Sequence, residues 1–292
     1  MKLTVLGSGS PKASAERASS GYLIETGREK IMMECGPGSV QRLVEAGHDV
    51  TEIDKVFISH LHFDHWLDLM RLALCRWDHA GPDQPPLQVW GAPGIADIVA
   101  KAFGPDGLLR LDLTARTNHP QSLAIYHGRG GTGPRPWPRI EVVEIDGDTV
   151  VEGEGWRVGF AEVPHHQPYL ISYAMRWEFA EGIFAYSSDI TRDPALGPPE
   201  GLRRIAKDAK LLVQYVNVFG AKLMDRATAT GTRGFHQMIG EMARDANVET
   251  MITTHQSPHL NIDGVRERIT QEICNIFPGR LIWGRDLLEI GF

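Results

Sequence analysis

Ser59-His60-Leu61-His62-Phe63-Asp64-His65 gathers three imidazoles and one carboxylate between His60 and His65. It directly follows Lys55-Val56-Phe57-Ile58, an apolar run that reads as a buried strand. Side chains two apart at the end of an extended segment point the same way, so His60 and His62 can face one metal ion. Asp64 and His65 come after the chain turns and can face a second ion beside the first. Imidazole with carboxylate suits zinc, manganese or iron and needs no thiolate. A polar strand end without metal would account for one histidine, not for four ligand-type residues in six.

Working outward, residues 2–6 read as a strand ending in the turn Gly7-Ser8-Gly9-Ser10-Pro11. Residues 21–25 and 30–34 read as a strand pair around Thr26-Gly27, followed by the turn Cys35-Gly36-Pro37-Gly38. Val40, Leu43 and Val44 have helical spacing. After the histidine motif, Leu67, Met70, Leu74 and Trp77 place a helix over 66–77. A short strand at 87–90 and a helix at 95–103 come next. Residues 104–140 read as an irregular insertion carrying Arg110, Arg116, Arg129, Arg135 and Arg139 against Asp106 and Asp112. A solvated excursion is the plain reading of it, and a cationic lid over an anionic substrate is the functional one. Strands then follow at 140–145, 157–163, 170–177, 182–187, 211–216 and 248–254, and short ones close the chain at 281–283 and 287–290. Helices are expected around 235–242 and 265–276.

The chain has 292 residues, 42% hydrophobic and 23% charged, an ordinary globular composition. No linker or repeat divides it, so residues 1–292 are expected to form one domain. No run approaches the roughly 18 apolar residues needed to span a bilayer, and the N-terminus does not read as a signal peptide. Cys35, Cys75 and Cys274 lie far apart, form no CxxC pair and read as small buried apolar residues, which fits a cytoplasmic protein. A net charge of −7 argues against a protein devoted to nucleic-acid backbones.

Further ligands are expected where later strands end. Strand 157–163 runs into Pro164-His165-His166, strand 182–187 into Ser188-Asp189, and strand 248–254 into His255. Each follows its strand as His60 follows its own.

With these residues in view, the chain resembles the metallo-β-lactamase fold, and within it the ribonuclease Z and arylsulfatase-like branch. The resemblance rests on His60-x-His62-x-Asp64-His65, Tyr186-Ser187-Ser188-Asp189 and Thr253-Thr254-His255. Leu6-Gly7-Ser8-Gly9-Ser10-Pro11, Glu34-Cys35-Gly36-Pro37-Gly38, His165 to Leu170 and the tail Phe277 to Ile290 carry it further. It covers nearly everything outside 104–140. It implies an α/β (α+β) chain built as a four-layer αββα sandwich with metals on one rim. Two divalent ions are implied, zinc first, with manganese or iron as alternatives. His60, His62 and His165 would hold one ion, Asp64, His65 and His255 the other, with Asp189 between them. A hydroxide bridging ions about 3.5–4 Å apart would attack an ester, and Asp64 would orient it and take its proton. Histidine rather than glutamate at position 62 favours hydrolysis over the di-iron oxidoreductases of this fold.

The expected substrate is a small anionic ester, a phosphodiester or a sulfate ester. Ribonuclease Z-like cleavage of transfer RNA 3′ ends is the alternative; a carboxylic ester or lactone is another, and a non-catalytic ligand-binding relative is the opposing class. The branch's transfer RNA-gripping arm resides between the ligands matching His165 and Asp189, here only 24 positions apart. Its catalytic segment is replaced by Thr230-Gly231-Thr232-Arg233-Gly234-Phe235-His236. His236 is a candidate proton donor and His166 a candidate substrate contact. Glu34 stands where this branch usually has Asp. A homodimer is expected from the resemblance, and no membrane contact.

Overall fold

Several apolar runs of this sequence do not alternate, because their strands are covered on both faces. Ile31 and Met33 face one core while Met32 faces another, and Leu211 and Val213 are divided in the same way from Leu212. The computed structural model describes residues 1–191, 199–216 and 235–291. Its first sheet has strands β1 (Lys2–Gly7), β2 (Gly21–Glu25), β3 (Lys30–Cys35), β4 (Ile53–Ile58), β5 (Leu87–Gly91) and β6 (Ile140–Glu144). Its second has β7 (Val150–Gly153), β8 (Trp156–His166), β9 (Leu170–Phe179), β10 (Gly182–Tyr186), β11 (Leu211–Tyr215), β12 (Thr250–Thr254) and β13 (Arg280–Trp283). The chain returns to the first sheet with β14 (Leu288–Gly291), giving the orders β14-β1-β2-β3-β4-β5-β6 and β13-β12-β11-β10-β9-β8-β7.

The two sheets bury a shared core between them. Trp177 lies at its centre, fully buried, with Phe57 at 4.9 Å and Trp156 at 5.4 Å between ring centroids. On the outer face of the first sheet pack α1 (Ser39–Glu45), α3 (Leu69–His79), α4 (Ile95–Phe103) and α5 (Arg110–Asn118). On the outer face of the second pack α7 (Glu200–Ala206), α8 (Phe235–Asp245) and α9 (Val265–Cys274). The layers are therefore helix, sheet, sheet, helix, an α/β architecture as expected.

Three expectations need correction. The helix over 66–77 is two helices, α2 (Phe63–Trp66) and α3. They part at Asp68, whose carboxylate accepts from the Gly38 and Val40 amides and so ties the junction to the start of α1. The buried stripe of α3 is Leu69, Leu72, Ala73 and Arg76, while Leu67 is exposed. The segment 104–140 is not irregular throughout: it contains α5 and α6 (Pro120–Gly128), with Leu113 driven into the core. Of the three cysteines only Cys35 is buried, and Cys274 is exposed. Strand β7 and helix α7 had no clear periodic signal, being four and seven residues long.

Candidate metal centre

Strands β3 to β6 run parallel, and so do β10 to β13. Parallel strands end on the same side, so the loops after β4, β10 and β12 collect on one rim. Strand β8 is antiparallel to β9, and β9 to β10, which sends the end of β8 to that rim too. Three residues there have left-handed backbone despite carrying side chains: Glu34 (φ 60°), Ser188 (φ 55°) and His255 (φ 58°). Such conformations cost about 1–3 kcal/mol each and persist where the surroundings enforce them. Here they turn the chain sharply at the ends of β3, β10 and β12. Gly36 is required nearby, since a Cβ there would lie 1.9 Å from the Asp64 carbonyl oxygen.

The turns bring the expected residues together in two groups, His60, His62, His165 and Asp189, and Asp64, His65 and His255. Within each, one ligand-type atom per residue lies within 4.8 Å of the others. His62 Nδ1 is 3.2 Å from His60 Nε2 and 3.0 Å from His165 Nε2. Asp189 lies between the groups: one oxygen is 3.0 Å from His255 Nε2 and 4.0 Å from His165 Nε2, the other 3.5 Å from His65 Nε2. Asp64 Oδ2 is 3.2 Å from His255 Nε2 and 3.5 Å from His65 Nε2.

The electrostatics separate the groups. Burial pushes His60 well below the ordinary imidazole value, and His65 adds to the shift. Burial also lowers His62, with His166 contributing, and takes His165 down to about 4. Three neutral imidazoles thus turn nitrogens toward one point. His62 Nδ1 has one hydrogen or one lone pair, so it cannot serve both neighbours by hydrogen bonding. On Asp189, between the groups, burial opposes charge, yet His255 and His65 hold it well below the carboxylate range. Asp64 is lowered likewise against its burial, by His65 and His255. Those carboxylates raise His255 to about 9 and His65 well above its usual value, again against burial. Both His65 ring nitrogens and His255 Nδ1 are buried without a hydrogen-bond partner among the described residues. Converging neutral nitrogens beside two fixed carboxylates are a donor set that fits divalent cations.

A surrounding layer, only partly foreseen, fixes these groups. His60 Nδ1 is 2.9 Å from Ser59 Oγ and 3.5 Å from Ser188 Oγ. Ser188 is held in turn by Ser172 Oγ at 2.8 Å. Glu34 is fully buried. Its carboxylate accepts from the Ser59 amide at 3.2 Å and approaches His65 Nδ1 at 3.5 Å, a charge contact rather than a hydrogen bond. Burial raises this carboxyl, and His65 and Ser59 offset the rise only in part. The signal for Glu34 was present, an acid ending an apolar strand. Ser59, Ser172 and Ser188 are too common a residue type to stand out.

His166 is exposed, with its ring stacked 4.3 Å from His165 and edge-on 4.8 Å from His62. His236 is buried at the start of α8, and its Nε2 meets the Glu272 carboxylate of α9. The adjacent Phe235 packs on Tyr215, whose ring lies 4.7 Å from His255. The segment Thr230 to Gly234 and the His259 side chain lie outside the described residues. Trp66 is half-buried with its indole N–H on the Leu61 carbonyl oxygen at 3.0 Å. No helix among the described residues is long and apolar enough to cross a membrane.

The family model described as Anti-Pycsar protein Apyc1 matches residues 1–89. The ribonuclease Z of Mycolicibacterium gilvum (strain PYR-GCK) is 30% identical over 273 residues, covering 89% of this chain and 85% of that protein. Among solved structures, the metallo-β-lactamase fold protein YhfI of Bacillus subtilis superposes with a TM-score of 0.69 at 20% identity, covering 99% of both chains. The short form of human tRNase Z gives 0.65 at 16% identity, covering 100% of this chain and 99% of that one. The fold is that of the metallo-β-lactamases, and this chain is a metal-dependent hydrolase of ester bonds that belongs to the ribonuclease Z family.

Proposed function

We propose that this chain is a dinuclear-metal phosphodiesterase that cleaves RNA as its ribonuclease Z relatives are named for doing. The observation that carries the proposal is the convergence of His60, His62, His165, Asp189, Asp64, His65 and His255 on one rim of a family member's fold. His60, His62 and His165 would hold one ion, and Asp64, His65 and His255 the second, with Asp189 reaching both. Zinc suits this donor set, with manganese and iron as alternatives. When bound, a pair of such cations acidifies water and neutralises charge growing on the phosphoryl oxygens.

The protein's own residues do the positioning. Asp64 is charged at neutral pH and orients the attacking water, whose proton it takes. Glu34 and the Ser59 and Ser188 hydroxyls keep His65 and His60 from rotating, so the donor atoms stay aimed at the rim. The exposed His166 ring beside His62 meets the substrate. His236, backed by Glu272, is the candidate for protonating the departing oxygen. A homodimer and a cytoplasmic location agree with the same reading.

A second reading keeps the chemistry and changes the substrate to a small anionic ester, a phosphodiester before a sulfate ester. It is favoured by the path from His165 to Asp189, which is filled by β9 and β10 and has no protruding arm. Assays on the metal-replete protein separate the two. Cleavage of a transfer RNA precursor at its 3′ side, lost in His62→Ala, is the expected result. Turnover of bis(4-nitrophenyl) phosphate with an intact precursor would move the assignment to the second reading. Turnover of neither would overturn both.

A further inference from the structure

The segment 104–140 holds five arginines, two aspartates and no lysine or glutamate, in a chain of net charge −7. Three of these arginines are tied down away from the metal centre. Arg116 and Arg135 pair with Asp78 at the far end of α3, at 2.8 and 3.0 Å, and Arg129 reaches the Asp78 carbonyl oxygen. Arg76, on the same side, donates to the carbonyl oxygen of Ile53, the first residue of β4, at 2.7 Å. His60 follows the other end of β4. Seven residues of near-extended chain put the two about 20 Å apart.

Between α3 and residues 126–140 lies a shallow surface cleft. Its polar and aromatic lining includes Arg76, Trp77, Tyr126, Arg135, Trp137 and Arg139, and none of its lining residues is acidic. Arg76 and Arg135 are buried and fixed: Asp54 and the Pro85 carbonyl oxygen hold the first. Asp78 holds the second, with its guanidinium 4.0 Å over the Trp77 ring. Arg139, in the lining, and Arg129, whose backbone lies beside the lining residue Gly81, are exposed, and Tyr126 and Trp137 are half-buried. Asp54 and Asp78 offset the charge of Arg76 and Arg135, so the positive charge at the rim comes from Arg139 and Arg129. Exposed arginines beside aromatic faces are the arrangement that holds a nucleic-acid strand without reading its sequence, phosphates on arginine and bases on rings.

We propose that this cleft is a holding site for an RNA strand, about 20 Å from the bond that is cut. The proposal rests on the ribonuclease reading for its choice of partner. Arg129 and Arg139 face phosphates, and Trp137 and Tyr126 offer surfaces to a base. A substrate that engages both places must be a folded RNA rather than a small ester.

The test is binding of a fluorescein-labelled transfer RNA precursor to the metal-free protein by fluorescence anisotropy, over a range of salt. Arg139→Glu is expected to weaken binding about tenfold and to make the salt slope shallower by about one. Arg129→Glu with Arg139→Glu should lower the slope by about two. Trp137→Ala should weaken binding by roughly ten- to hundredfold. Trp137 also packs on the core, so the exposed arginine variants decide the matter if its melting temperature falls. Unchanged affinity and slope in the double variant overturn the proposal, as does failure of the wild type to bind RNA. Labelled AMP bound as tightly as the precursor overturns it in favour of a free-nucleotide site. RNA that is bound but not cut after metal is added sinks the ribonuclease reading and leaves the cleft. RNA that is cut while binding ignores both arginines does the reverse.

Discussion

Glu34→Gln alters a side chain that touches no substrate, and it should still disable the metal centre. The glutamine keeps an oxygen for the Ser59 amide, 3.2 Å away, but must present its NH2 to His65 Nδ1 at 3.5 Å. Two facing N–H groups cannot satisfy one another. His65 therefore either loses its carboxylate or moves its proton to Nε2, the nitrogen 3.5 Å from both Asp64 and Asp189. A protonated Nε2 has no lone pair for a cation. Loss of an outer carboxylate partner typically weakens metal affinity about 10- to 100-fold, or about 1.4–2.8 kcal/mol. Glu34→Asp keeps the charge but retracts it, and should lose less. The assay is a zinc titration of the metal-free protein against a chromophoric competitor, with circular dichroism to confirm folding. A folded Glu34→Gln protein that binds zinc within twofold of wild type would refute this reasoning.

Three other outcomes follow from the same structure. His62→Ala removes the nitrogen that both His60 and His165 face; plasma emission spectrometry should find less than the full metal content, and ester turnover should be abolished. Trp177→Ala empties the centre of the inter-sheet core and should cost about 3–5 kcal/mol in urea unfolding, an effect independent of added metal. Glu29 gives a pH signature. Burial would raise its carboxyl, but Lys55 at 2.5 Å and the Trp156 indole lower it on balance. A depressed carboxyl adds stability above its unfolded value and loses it as pH falls through the folded one. Glu29→Gln should therefore flatten the acid side of the stability profile below about pH 4.5, and an unchanged acid limb would count against the Lys55 contact.

Much of the site could be read in one dimension because its residues are rare types in marked places. His60, His165, Asp189 and His255 each come directly or within three residues after an apolar run, and a strand that runs into a ligand is a local pattern. The surrounding layer was harder. Serine is common and tyrosine serves equally well in a plain core, so nothing in the spacing marks Ser188 or Tyr215 as supports for His60 and His255. The junction at Asp68 was missed because its cause is the start of α1, some thirty positions away in sequence. Residues 104–140 were misread because α5 buries only Leu113 and α6 buries nothing, which leaves no apolar period to detect.

The order of most strands and the identity of the metal-type residues were set by the sequence alone, since they depend on neighbours within a few positions. Tertiary structure alone decided how those residues are divided, with Asp189 between the two groups, because that depends on which strand ends share a rim. It also decided that Arg116, Arg129 and Arg135 gather at the far end of β4 instead of closing over the histidines. Their partners, Asp78 and the α3 backbone, lie far from them along the chain, and only packing makes them neighbours.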